Sequence, residues 1–354
     1  TAWCLKRKPR SAGFQKIIAA SVADRADLFL TTANRLGVPL INIEKDFWVC
    51  WTLNALYHRL PAGGPRLLFK GGTSLSKAYG LINRFSEDID VTVFRDDLGH
   101  GATPEALAAL SGKKRKAAIE AIQTDCQAYI TGPLLAELSQ LITEDTGGEG
   151  RIEIDPDDGT GQTLLVWYPR VDGSDTGYVQ AAVKIESGAK SALDPNSPQL
   201  IRPYISDDLD GIDLDVPDVR TIDAERTFWD KVVILHGLRN WFDTRGELKQ
   251  DGQRISRHYY DLHCMLETET GKAAVADLEL GAGCVAHAKT FFNRPDFNLA
   301  TAEPGTFSLL PPEDMAARLV SDYKNTEAMI FGEAPSFDAI LASIAALEEQ
   351  LNRP

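Results

Sequence analysis

From the N-terminus, apolar positions first recur at the three-to-four-residue step of amphipathic helices. Phe14, Ile17 and Ile18 open one such segment, and Leu28, Phe29 and Leu30 extend it until Gly37-Val38-Pro39 breaks the pattern. A second begins near Ile43 and carries Phe47, Trp48, Trp51, Leu53 and Leu56, a stripe whose tryptophans read as core packing. Pro61 and Pro65 bracket a turn, after which the period changes. Leu67-Leu68-Phe69 reads as a short buried strand ending at Lys70-Gly71-Gly72-Thr73-Ser74. Leu75, Tyr79 and Ile82 return to helical spacing, in a helix that Gly80 keeps short. Asp88-Ile89-Asp90-Val91-Thr92-Val93 then alternates with period two, the mark of a half-buried strand.

Further on, residues 104–141 are rich in Ala, Leu and Ile and read as helices. Residues 144–161 form a Gly- and Asp-rich loop around a short strand at 151–154, and two alternating segments, 163–168 and 178–186, pair through a turn at 173–177. In the second of these, Val183 and Ile185 face one way and Lys184 and Glu186 the other. Residues 206–218 hold six aspartates, but a calcium loop counted back from Gly211 puts Pro217 where a bidentate Glu belongs. That segment reads as a solvated linker and a domain boundary. From Asp223 the pattern is helical on Phe228, Val232 and Leu235, stopping at Gly237. Residues 241–253 look like a mobile polar loop, and a second helix follows from Arg254. The remainder is largely helical, interrupted at 304–312 and ending on a regular amphipathic helix over 338–352.

The central stretch carries the chemistry. Alternation sets the carboxylates of Asp88 and Asp90 on one strand face, where they repel unless a cation sits between them. A hard divalent ion, most simply Mg²⁺, is the natural occupant. Gly71 and Gly72 let backbone N–H groups approach an anion, Thr73 and Ser74 add hydroxyls, and Lys77 on the same helix is a further phosphate candidate. An anion cradle beside an acidic pair suits a nucleoside triphosphate bound as its magnesium complex. The loop lacks the Lys-Ser/Thr ending of a Walker A motif. A plain strand-turn-helix-strand with solvated acids is the bland alternative, and the ordered combination of cradle and acidic pair argues against it.

Gly-Gly, a helix, then Asp-x-Asp on a strand resembles the signature of the DNA polymerase β-like nucleotidyltransferase superfamily. The fuller wording, FKGGTSLSKAYGLINRFSEDID, is similar to the AbiEii/AbiGii toxin nucleotidyltransferases of type IV toxin–antitoxin and abortive-infection systems. Glu44-Lys45-Asp46-Phe47-Trp48 and two later motifs match as well, so the resemblance runs over about residues 44–266, with weaker likeness beyond. The gap from Gly72 to Asp88 is longer than in many superfamily members, though ordinary for this branch.

The resemblance implies an α+β fold: a nucleotidyltransferase domain with a small mixed sheet over residues 1–218 and a mainly helical domain over 219–354, with the cleft between them. It implies Mg²⁺, with Mn²⁺ as the alternative, on Asp88 and Asp90, and transfer of a nucleoside monophosphate from an NTP to a hydroxyl. Lys231 has Phe228, Thr227, Ile234 and Leu235 as helical neighbours, at the margin of a buried face, where lysines commonly snorkel. It falls in the family's third motif, which assigns its ammonium to the triphosphate. Asp261 falls in the fourth, although its spacing from Arg257 also fits a simple helical ion pair. Glu186 is the candidate third carboxylate, with Asp155 in reserve. The resemblance further implies a toxin, an antitoxin encoded beside it, a role in phage defence and a tRNA acceptor. Transfer to a protein or small-molecule hydroxyl, or nucleotide binding without turnover, are the alternatives. The intact Gly-Gly and Asp-x-Asp argue against the last.

Composition adds boundaries. The 354 residues are 44% hydrophobic and 25% charged, as in globular proteins, and suffice for one large domain or two modest ones. A net charge of −14 disfavours non-specific DNA binding and leaves room for a local basic groove. Lys113, Lys114, Arg115 and Lys116 form the densest basic run, a solvated helix face or a contact to RNA phosphates. No apolar stretch is long enough to cross a membrane, and no apolar run follows the basic start as in a secretory signal. Five scattered cysteines suit reduced thiols in a cytoplasm. His258 and His263, five apart on one helix, do not share a face for zinc.

Overall fold

The computed structural model describes residues 12–171, 182–249 and 254–353. The turn expected at 173–177, the start of the 178–186 strand and Cys4 lie outside them. Two compact units divide the chain: one takes in residues up to 78, 86–103 and 110–221, the other 79–85, 104–109 and 222–354. A single cut therefore does not separate them. The architecture is α+β, as expected, with thirteen α-helices and one seven-stranded mixed sheet among the described residues.

The first unit opens with α1 (Ala12–Ile18), α2 (Val22–Leu36) and α3 (Leu40–Asn54). Ser21 caps α2 by accepting from the Asp24 amide, and Gly37 ends it in the left-handed conformation at φ 67°. The α3 helix is buried all round from Ile43 to Asn54, so its polar groups need partners. Trp48 stacks on Tyr168 with ring centres 5.3 Å apart, and the Trp51 indole donates to Asp145 at 2.9 Å. Three consecutive charged residues are likewise engaged. Glu44 accepts from the Val171 amide at 2.8 Å, Lys45 meets Glu87 at 2.6 Å, and Asp46 meets Lys77 at 2.6 Å.

Next come β1 (Leu67–Lys70), α4 (Gly71–Lys77), β2 (Asp88–Val93), α6 (Gly112–Tyr129) and α7 (Leu135–Thr146), with α5 (Pro104–Ala108) belonging to the second unit. The strands β3 (Arg151–Ile154), β4 (Thr163–Trp167), β5 (Ala182–Gly188), β6 (Asn196–Ile201) and β7 (Val216–Ile222) complete the sheet, in the order β3-β4-β5-β2-β1-β7-β6. Strand β2 lies between β1, antiparallel, and β5, parallel. Ile89, Val91 and Val93 are wholly buried, which fixes the register and turns Asp88 and Asp90 to the other face.

The aspartate-rich segment is not a free linker. Asp208 accepts from Thr32 at 2.6 Å and from Arg35 at 2.9 Å, and Leu214 and Val216 are buried. Its acids thus tie the chain to α2 before β7 begins.

The second unit contains α8 (Ala224–Arg245), α9 (Ser256–Leu266), α10 (Glu269–Ala276), α11 (Leu278–Phe291), α12 (Glu313–Glu327) and α13 (Phe337–Asn352). The stop expected at Gly237 does not occur, and the loop expected over 241–253 begins only after Arg245, with 250–253 outside the described residues. A β-carbon at Gly237 would lie 3.3 Å from the Phe297 ring, so this glycine serves packing, and α8 ends at Gly246 with φ 68°. Residues 79–85 are held by several independent bonds. The Phe85 amide donates to Met329 O at 2.7 Å, the Phe331 amide to Asn83 O at 2.9 Å, and the Tyr79 hydroxyl to Ile222 O at 2.9 Å.

Candidate active site

The turn from β1 into α4 is built around one glycine. Lys70 is extended, and Gly71 then takes φ +80°, which side-chain-bearing residues rarely adopt. A β-carbon at Gly71 would lie 2.0 Å from Asp90 Oδ2, so the acidic strand packs directly on the glycine backbone. Thr73 and Ser74 are buried, and their hydroxyls are engaged inside the loop rather than offered to a ligand. Thr73 Oγ1 bonds Ser86 Oγ at 2.8 Å and the Asp88 carbonyl, and Ser74 donates to Gly71 O at 2.8 Å. These side chains brace the loop against β2, leaving backbone amides for any anion. Lys77 is not brought there: its side chain is 5% exposed, 2.6 Å from Asp46 and stacked over Tyr204 at 3.6 Å.

On β2, Asp90 lies opposite Lys70 of β1 and Glu186 of β5, while Asp88 lies opposite Lys184. Lys70 Nζ is 3.3 Å from Asp90 Oδ1, and Lys184 Nζ is 3.0 Å from Asp155 and 3.6 Å from Glu186. Asp88 is pushed up to about 6 by burial first, then by the negative charges of Glu87, Glu186 and Asp90, with Lys45 opposing. Its anion is thus short of compensating positive charge. Among the described residues no three His, Cys, Asp or Glu side chains are arranged to hold a metal ion. The chemistry of Asp88 and Asp90, two carboxylates on one strand face, fits an ion such as Mg²⁺ that keeps waters and takes phosphate oxygens. Glu186, 47% exposed at its side chain, stands beside the pair and does not complete a three-ligand shell; Asp155 is buried against Lys184.

In the second unit, Lys231 is buried rather than marginal, and the reason is its partner. Its Nζ lies 2.8 Å from Oδ2 of Asp261, which is wholly buried. Asp261 also receives Arg84 through two parallel bonds, Nε to Oδ1 at 2.8 Å and Nη2 to Oδ2 at 2.9 Å. These cations take the place of the i, i+4 partner Arg257 suggested by helical spacing. Although burial alone would raise it, Asp261 is held well below the usual carboxylate range by Arg84 and Lys231. Lys231 is pushed down by burial, with Asp261 opposing and Arg84 and Arg257 assisting.

Sequence reasoning missed Arg84, Lys70 and the Lys45–Glu87 pair. Lys70 had a signal, since antiparallel pairing of the two strands flanking the turn sets it opposite an acid. Arg84 had only its place four residues before Asp88.

A β1–glycine turn–α4 unit feeding an Asp-x-Asp strand is the frame of a nucleotidyltransferase. The chain belongs to the nucleotidyl transferase AbiEii toxin family of type IV toxin–antitoxin systems, whose model matches residues 54–343. It is thus an enzyme that uses an NTP and a toxin paired with an antitoxin. The matched span begins at the end of α3, downstream of Glu44-Lys45-Asp46-Phe47-Trp48. MenT4, a nucleotidyltransferase toxin from Mycobacterium tuberculosis, has a similar solved structure at 16% identity and a TM-score of 0.48, covering 94% of this chain and 90% of that one. None of the curated proteins compared matches the sequence. No helix among the described residues is long and apolar enough to cross a membrane.

Proposed function

We propose that the chain transfers a nucleoside monophosphate from an NTP to a hydroxyl of tRNA, using Mg²⁺ or Mn²⁺ held by Asp88 and Asp90. The observation that carries this reading is the paired carboxylates on one sheet face, with Asp90 packed on Gly71 at the start of the phosphate loop. A bound divalent ion would neutralise charge on the triphosphate and polarise its α-phosphorus. The chain supplies the rest. Backbone amides from Gly71 and Gly72 receive phosphate oxygens, which their missing side chains permit. The acceptor oxygen bonds to the α-phosphorus as the bond to the β-phosphate oxygen breaks, and the acceptor proton passes to Glu186. Lys231, oriented by Asp261, neutralises the departing pyrophosphate. Asp88, Asp90, Glu186 and the phosphate loop lie in the first unit, and Lys231 and Asp261 in the second.

The tRNA acceptor draws support from the basic run at the start of α6. Lys113, Lys114 and Lys116 are exposed there, at the helix end where positive charge is unfavourable. A phosphate backbone would relieve that repulsion. The test is incubation of the chain with each labelled NTP, total tRNA and Mg²⁺. Label on tRNA is expected; NTP consumption without it would move the acceptor to a protein or small molecule, and no consumption would leave a binding module. Neutralising Lys113, Lys114, Arg115 and Lys116 together should reduce the log–log salt slope of RNA binding by about 2–4 while leaving NTP affinity unchanged. An unchanged slope returns the run to a solvated face. Growth arrest on expression without antitoxin, abolished by Asp90→Ala, would tie the chemistry to toxicity and to abortive infection.

A further inference from the structure

We infer that Arg84 is a positioning residue of the transfer reaction: by clamping Asp261 with its planar fork it keeps the Lys231 ammonium oriented and its charge available. The inference rests on the reading of Lys231 given above and extends it to a residue outside the matched third and fourth motifs.

The argument begins with charge. A lysine paired one-to-one with a buried aspartate forms a neutral unit, and a neutral unit has little attraction for phosphate. Here two cations share one carboxylate, so Arg84, Lys231 and Asp261 together carry one net positive charge while being 5%, 6% and 0% exposed. An ammonium has three donors, and Asp261 accepts one of them at 2.8 Å. Geometry comes next. The two bonds from Arg84 hold the carboxylate plane, so Oδ2 presents itself to Lys231 from a fixed position. Lysine has a flexible stem and no fork of its own, and without that fixed acceptor its direction would be set by packing alone.

Arg84 is itself held from the backbone. It forms an isolated antiparallel bridge with Ile330, and the neighbouring Phe85 and Asn83 exchange hydrogen bonds with Met329 and Phe331. The segment 79–85 therefore stays docked by bonds that do not involve the guanidinium. Its position in the chain is also telling. This segment belongs to the second unit, yet it directly joins α4, with the phosphate loop, to β2, with Asp88 and Asp90. Arg84 thus fastens the acidic strand's own leader to the aspartate that orients Lys231. Removing the guanidinium leaves the Lys231–Asp261 pair intact and neutral, so no buried charge is abandoned, and the variant should fold.

The experiment compares Arg84→Met, Arg84→Lys and Lys231→Met in the full chain, with melting temperature, kcat and KM for the NTP, and the pH dependence of kcat. Arg84→Met should lower kcat about 10–100-fold with little change in KM. The alkaline limb, where Lys231 loses its proton, should move to higher pH by about half a unit to one unit, because a neighbouring positive charge has gone. Arg84→Lys restores the charge without the fork, so the limb should return to its wild-type position while kcat recovers only in part. A residue that only braced the fold would lower the melting temperature and leave the alkaline limb where it was. Wild-type kcat and an unmoved limb in Arg84→Met, with Lys231→Met inactive, would overturn the inference alone. Full activity of Lys231→Met would overturn both it and the reading beneath it. If Arg84→Met fails to fold, Arg84→Lys decides: unchanged kcat there removes any role for the fork.

Discussion

Asp88 and Asp261 are the same side chain in opposite electrostatic circumstances. Asp88, half-buried on a strand among Glu87, Glu186 and Asp90, is pushed up to about 6. Asp261, wholly buried on a helix, is held well below the usual range by Arg84 and Lys231. Burial points the same way in both, so the difference comes from the sign and number of charges within reach. The first neighbourhood is short of positive charge and has a use for a cation. The second has one cation more than its carboxylate needs and has a use for an anion.

The strongest way to break the comparison is to remove a carboxylate from the acidic face. Asp90→Ala should reduce NTP turnover by about a thousandfold or more, since one of two proposed metal ligands is gone. Stability should change little, because like-charge repulsion falls, Lys70 is partly solvated, and the methyl beside Gly71 needs less room than the carboxylate did. Turnover retained at an unchanged melting temperature would show that the pair is not the metal site.

How far the sequence displayed this arrangement follows from the range of the signals. The acidic face was legible because a two-residue period carries its meaning within six residues, Asp88 to Val93, and needs no partner to be read. Gly71 was legible as a close approach, though not as the seat of Asp90 itself. Thr73 and Ser74 were misjudged, since hydroxyls near a glycine pair look the same whether they face a phosphate or a carbonyl of the next strand. Of the cationic set, Lys231 and Asp261 were legible only through resemblance, and Arg84 was not legible at all. Arg84, Lys231 and Asp261 are separated by 147 and 30 positions, and nothing local to Arg84 reports that it is buried. Helix boundaries failed for a related reason: Gly237 stops a helix by propensity, but its packing against Phe297 lies sixty positions away and overrides that preference.

Deleting the charge of the second region should cost less than deleting the first. Lys231→Met keeps the stem and leaves Asp261 with the two bonds from Arg84, so the core remains compensated. We expect kcat to fall about a hundredfold, in line with the loss of one charged donor from a transition state, with the fold intact. Near-normal turnover, together with a slightly higher melting temperature, would show that the lysine only fills space and that Asp261 serves the fold.

The smallest effect tests whether the second region is as rich in positive charge as the comparison holds. His258 is half-buried on α9 with its Nδ1 enclosed, and it is pushed well below its ordinary value, by desolvation first and then by Lys231 and Arg257, with Arg84 adding and Asp261 opposing. Its imidazole is therefore neutral in the folded chain, while in the unfolded chain it takes up a proton near pH 6.5. The folded pKa is depressed, so the unfolded state binds more protons below that value. The stability that His258 contributes is complete above about pH 7 and is lost as the pH falls, by about 1.4 kcal/mol per unit once well below 6.5. His236 and His263 are shifted in the same direction, so the wild-type slope contains more than one group. The difference between wild type and His258→Gln isolates this one. Between pH 7.5 and 5.5 the wild type should lose about 2–4 °C more in Tm than the variant. Parallel curves would mean that His258 accepts its proton in the folded state, and that the charges around it are balanced rather than in surplus.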